Sequence, residues 1–173
     1  MQPRNVIRHV AAIGVALGLA LAAGRLYVAD AHQHRIAVFN LAGKSLAQFG
    51  KRGNGPGQLN FPTHVAVDAA GRVFVTDAMN SRIQVFDAAG KYQSQIGQPG
   101  DAPGCFSRPK GVATDAAGRV YVVDANFDHF QIFDLQGRIL LAVGAAGNGA
   151  GEFWLPNGIA ISRANEIFVA DGY

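Results

Sequence analysis

Histidine, aspartate and cysteine are the residue types in this chain that could do chemistry. Two of the five histidines, His32 and His34, flank a single residue, and His64 follows in the next connection. Neutral imidazoles suit zinc or copper, but the spacing fixes no carboxylate beside them. They read as solvated loop histidines before they read as ligands, so no metal and no other cofactor is assigned. Asp30, Asp77, Asp124 and Asp171 recur at a constant interval, with Arg35, Arg82 and then His129 five residues beyond the first three. A ring of carboxylates could hold a metal, whereas an Asp–Arg pair would brace a loop; a feature present in every copy of a repeat favours the brace. Cys105 takes a position held by Gln58 and Glu152 in other copies and has no local base, so it is an incidental thiol rather than a nucleophile. No Ser-His-Asp set, P-loop or dinucleotide fingerprint is present, and Gly53–Gly57 leads into a strand, where no helix terminus can meet a phosphate. No catalytic residue is assigned.

The elements that must position these residues follow from an internal repeat. Residues 25–71, 72–118 and 119–165 are gapless copies of 47 residues, and 166–173 open a fourth. Within a copy, short runs rich in Val, Ile and Phe alternate with Gly-containing turns. Val65–Asp68, Val73–Asp77, Ile83–Asp87 and Tyr92–Gly97 give four strands, a to d, joined as antiparallel hairpins. Four strands in 40–50 residues is the arithmetic of a propeller blade. Composition agrees: 49% hydrophobic, 22 glycines, and only 16% charged residues. The net charge of +3 is a tail effect, because removing Arg4 and Arg8 from the 15 Lys+Arg leaves 13 against 12 Asp+Glu. A phosphate-binding surface would need a concentrated basic stripe.

The first 24 residues have two readings. A basic start, an uncharged run from Val10 to Gly24 and the small residues of Ala20-Leu21-Ala22 make a signal peptide or apolar anchor, which would place the protein in the periplasm or outside the cell. Alternatively, Gly18–Gly24 matches Gly111–Gly118 with the aspartate lost, which makes it a degenerate strand a and is compatible with a cytoplasmic protein. The expected organisation is a signal peptide or apolar anchor over residues 1–24 and a repeat domain over residues 25–173.

Pro-x-Gly-Val-Ala-x-Asp, Gly-x-Val-x-Val-x-Asp and Asn-x-Arg-Ile-x-Val-Phe, best seen in Pro62–Asp87 and Pro109–Asp134, resemble the NHL repeat. The resemblance implies an all-β fold, a β-propeller of four-stranded antiparallel blades. Such propellers usually have six blades, roughly 280 residues at this repeat length. The chain is therefore expected to be a partial copy of about three and a half blades, able to self-associate through open edges.

Strand direction alternates, so a–b and c–d turns share one face while b–c loops and d–a connections share the other. The first face is monotonous, with Asp-Ala-Ala-Gly-Arg or Lys recurring. The second varies, and loops on a rigid scaffold are where recognition residues gather. The candidates there are His32, His34, Asn80, Asn126 and Phe127 in b–c loops, His64, Lys110 and Asn157 at strand a entries, and Trp154. The expected function is a non-catalytic, extracytoplasmic module binding a protein or other ligand on this face. A membrane would be touched only through an uncleaved N-terminal segment. Two alternatives stand behind it: a metal-dependent enzyme, because Ile167–Tyr173 resembles the corresponding blade of peptidyl-amidating lyases, and RNA binding as in some NHL domains, which the near-neutral body disfavours.

Overall fold

A computed structural model describes residues 16–172, all of them β-structure and turns apart from one short 3-10 turn at Ala78–Asn80. Blade 1 comprises β1 (Ala16–Ala22), β2 (Arg25–Asp30), β3 (Arg35–Asn40) and β4 (Ser45–Phe49). Blade 2 comprises β5 (Pro62–Val67), β6 (Val73–Asp77), β7 (Arg82–Phe86) and β8 (Tyr92–Ile96). Blade 3 comprises β9 (Pro109–Thr114), β10 (Val120–Asp124), β11 (His129–Phe133) and β12 (Ile139–Val143), and β13 (Gly158–Ile161) with β14 (Ile167–Ala170) forms half of a fourth. Each full blade is an antiparallel meander in sequence order. The ring does not close among the described residues, as the repeat count requires. The inner strands β1, β5, β9 and β13 lie side by side and line the channel.

The core lies between blades rather than within them. Strand b of blade 2 sends Val73 and Val75 into a cluster with Tyr27, Ile36 and Val38 of blade 1, and Phe74 into one with Val112, Val120 and Phe133 of blade 3. Alternate side chains therefore face opposite neighbours, which is why β6 and β10 are buried at every position and read as continuous apolar runs. Gly50, Gly97 and Gly144 all have positive φ, and a Cβ there would collide with Leu59, Phe106 or Phe153, the plug of the following connection. Their constant spacing records that close approach.

Residues 1–15 lie outside the described ones, so the leader or anchor expected over 1–24 is described only from Ala16. There the chain is already strand β1, pairing Leu19↔Val28 and Ala20↔Tyr27 as Val112 and Ala113 pair with Val122 and Tyr121. Cleavage after Ala22 would remove the innermost strand of blade 1.

Asp77 ends β6 fully buried. Its carboxylate accepts Asn60 N–H at 2.6 Å, the Asn80 and Gln84 side-chain amides at 2.9 Å each, and Arg82 Nε at 2.8 Å. Removing one partner of a buried, hydrogen-bonded ion pair costs about 3–5 kcal/mol. Asp77→Ala should lose on that order in urea unfolding, and Asp30→Ala less, because its partner Arg35 is one-third exposed.

Candidate functional site

The aspartate ladder organises the variable face. Each of the last three members holds the backbone N–H of the connection entering its own blade: Asp77 that of Asn60, Asp124 that of Ser107 at 2.7 Å, and Asp171 that of Trp154 at 2.7 Å. Arginine completes the clamp only in blades 1 and 2, as Arg35 Nε–Asp30 at 3.1 Å and Arg82 Nε–Asp77. In blade 3 the Arg108 and Asn126 N–H groups bond Asp124, and His129 stacks on Phe127 with a buried, unpartnered Nε2. Burial pushes the His129 pKa down, against the pull of Asp124 and Asp128.

The candidates of this face divide by what the scaffold already asks of them. Asn80 is held inside it, donating to Gly53 O and to Asp77. His34 Nδ1 accepts the Phe61 N–H at 3.1 Å, fastening blade 1 to the next connection. Asn126 donates to Ser107 Oγ. His32 is exposed and meets Phe61 edge-on. Phe127 lines an open groove of about 400 Å³ between blades 2 and 3, with Ser81, Pro99, Gly100, Phe106 and Ser107. Trp154 is 45% exposed. Among the described residues, no three His, Cys, Asp or Glu side chains converge as a metal would require, so His32, His34 and His64 are not brought together.

His64, Lys110 and Asn157 stand at the entries of β5, β9 and β13, where inner strands crowd. A Cβ on Gly111 would lie 2.8 Å from Ile159 N and 2.9 Å from Asn157 O, and one on Gly18 would lie 2.6 Å from Thr63 O. The Gly111 N–H bonds Asn157 O across blades, and Thr76 Oγ1 donates to Lys110 O. Contact between neighbouring inner strands makes the backbone demands here heavy. His64 is the one copy with a side chain at this position, and burial with Lys110 nearby pushes its pKa from 6.5 to about 4. Burial and Arg108 likewise push Lys110 down.

The opposite face was read as monotonous, and its hairpins are built alike. The carboxylate of Asp68 takes the Ala70 and Arg72 N–H groups at 3.0 and 2.8 Å, and Asp87 and Asp134 repeat this at the c–d turns. Yet this face carries the larger cleft, about 930 Å³, at the ends of the inner strands, with Arg25, Tyr27, Asp68, Asp115, Ser162 and Arg163 in its lining. None of these was a candidate. The available signal was the aspartate missing from the first copy's a–b turn.

The profile of DUF5128, a 6-bladed beta-propeller family, matches residues 67–125 and 112–172. No curated protein sequence matches the chain. Among solved structures, a nidogen/laminin complex is similar at 24% identity and a TM-score of 0.71, over 91% of this chain and 57% of that one. A streptogramin B lyase follows at 15% identity and TM-score 0.69, over 90% and 48%. Glutaminyl cyclase of Myxococcus xanthus shares 13% identity, TM-score 0.65, over 89% and 60%. At these identities the likeness is one of fold, and the chain spans about half the length of these structures.

A histidine with its folded pKa depressed leaves the unfolded state holding more protons between the two values, so stability falls as pH drops from about 6.5 to about 4. The loss should be on the order of 3 kcal/mol, and His64→Gln should flatten that part of the profile in urea titrations run at successive pH values.

Proposed function

The chain belongs to the 6-bladed beta-propeller family, and on that premise we propose that it is a non-catalytic binding module. It takes a protein partner on the face of b–c loops and d–a connections. The observation carrying this reading is the division of labour within the repeat. On the variable face the backbone is fixed by buried aspartates, and His32, Lys110 and Asn157 hold no side-chain hydrogen bond among the described residues. Phe127 in its groove and the half-exposed Trp154 add the aromatic surface that anchors protein interfaces. The expected setting is periplasmic or secreted, resting on the basic start at Arg4 and Arg8 and the uncharged run that leads into β1, kept as an uncleaved segment so that β1 stays paired with β2.

The triple variant His64→Ala, Lys110→Ala, Asn157→Ala tests the face, since it touches side chains and leaves Gly111, Gly158 and the backbone bonds in place. Partner recovery in a pull-down should fall at least ~10-fold, the scale of losing one hot spot, with the unfolding midpoint preserved at pH 7. Full recovery by the folded variant would move the site elsewhere. Binding through aromatic contacts should fall only modestly with added salt; a steep fall would point instead to RNA.

A further inference from the structure

The a–b hairpins of the three full blades can be compared group by group. In blade 3, Asp115 follows β9 with its carboxylate fully buried. It accepts the Arg119 backbone N–H at 2.8 Å, Arg119 Nε at 2.5 Å and the Tyr121 hydroxyl at 2.9 Å. Burial alone would raise the Asp115 pKa, but these bonds outweigh it and hold the carboxyl below its usual range. Arg119 and Tyr121 are thus a working carboxylate clamp. Blade 2 keeps Asp68 and Arg72, with Phe74 in place of the tyrosine.

Blade 1 keeps the Arg and Tyr pair in sequence and register and lacks the carboxylate. Arg25 and Tyr27 occupy the positions of Arg119 and Tyr121: Tyr27 pairs with Ala20 and Val38 as Tyr121 pairs with Ala113 and Ile132. The hairpin is one residue shorter, and the residue missing is the aspartate. Ala23 and Gly24, both at positive φ (47° and 71°), close it as a two-residue turn of the I′ kind, which needs no side-chain brace. The Arg25 guanidinium and the Tyr27 hydroxyl consequently have no hydrogen-bond or ion-pair partner among the described residues. Tyr27 is 4% exposed, its ring packed in the core between blades, whereas Arg25 is exposed. Both residues line the 930 Å³ cleft, as does Arg163, another arginine with no ion pair among the described residues. The aspartates lining the same cleft, Asp68 and Asp115, are engaged by Arg72 and Arg119.

We propose that Arg25 and Tyr27 form a carboxylate-binding subsite in this cleft, taking the carboxylate of a small organic acid or of a peptide C-terminus in place of the aspartate that blade 1 lacks. The guanidinium supplies charge-assisted donors, and the phenol, held by the blade core, sets where the second bond falls. Blade 3 supplies the template, since the same residue pair already grips a carboxylate there.

The test is ligand-detected NMR on the full 173-residue chain with succinate, N-acetyl-glycyl-glycine and, as uncharged control, N-acetyl-glycyl-glycinamide. Both acids should bind and the amide should not; tighter succinate binding assigns a free diacid reaching Arg163, and tighter peptide binding assigns a chain terminus. Arg25→Gln should weaken acid binding at least ~10-fold and Tyr27→Phe by a few-fold. Inserting an aspartate between Leu21 and Ala22 should raise the unfolding temperature and abolish binding, because the clamp is then filled from within. Equal binding of acid and amide, or unchanged acid binding by Arg25→Gln or Tyr27→Phe, would overturn the proposal. So would failure of both acids to bind the unaltered chain at millimolar concentration.

Discussion

A buried carboxylate at the end of strand b is the constraint on which the rest of this propeller depends. Burying a charge without donors is prohibitive, so Asp77 can sit at zero exposure only by drawing in groups from three directions: the entering connection, the b–c loop and strand c. That requirement fixes where the chain crosses from one blade to the next. Blade 3 meets it another way, with three backbone N–H groups from Ser107, Arg108 and Asn126 and no arginine. Because backbone donors suffice, the side chains of the connecting segments are released from the scaffold, and the copies diverge there.

The other end of each blade works by local rather than long-range bonding. An aspartate closes its own turn by accepting N–H groups two and four residues on, so each hairpin is self-sufficient and can be repeated without reference to its neighbours. The monotony of that face reflects this independence and carries no information about whether the face binds anything. Variability pointed to the loops, whereas the larger concavity lies where the inner strands end.

Much of the architecture was legible because the repeat aligns without gaps: blade number, strand order and the aspartate ladder all follow from columns 47 residues apart. What stayed hidden depends on contacts between copies. Gln84 and Gln131 look like ordinary strand residues, yet they are buried and hold the connection carbonyls of Gln58 and Cys105 while accepting the Gly57 and Gly104 N–H groups. The crowding at Gly18 and Gly111 is equally invisible, since it arises from the backbone of the next inner strand. Strand β1 was obscured for a different reason. An inner strand of small and apolar residues that has lost its closing aspartate has the same composition as the core of a leader, and only its pairing with β2 distinguishes the two.

Departures from the repeat are therefore of two kinds, and compensation separates them. Where Arg82 becomes His129, the groups that Arg82 served are met otherwise: Gln95 becomes Ala142, Asp124 turns to backbone donors, and Cys105 O keeps the glutamine donor that Gln58 O also has. His129 Nε2 is the loose end. That is a scaffold drifting while keeping its books nearly balanced. At the first hairpin the aspartate is gone and the turn has re-closed without it, but Arg25 and Tyr27 persist with nothing in the described chain to hold. Water satisfies the exposed Arg25 guanidinium, so what sets this hairpin apart is the mostly buried Tyr27 phenol, which has no hydrogen-bond partner among the described residues. The uncompensated departure is the one that calls for a ligand, and it sits where the structure leaves room for one.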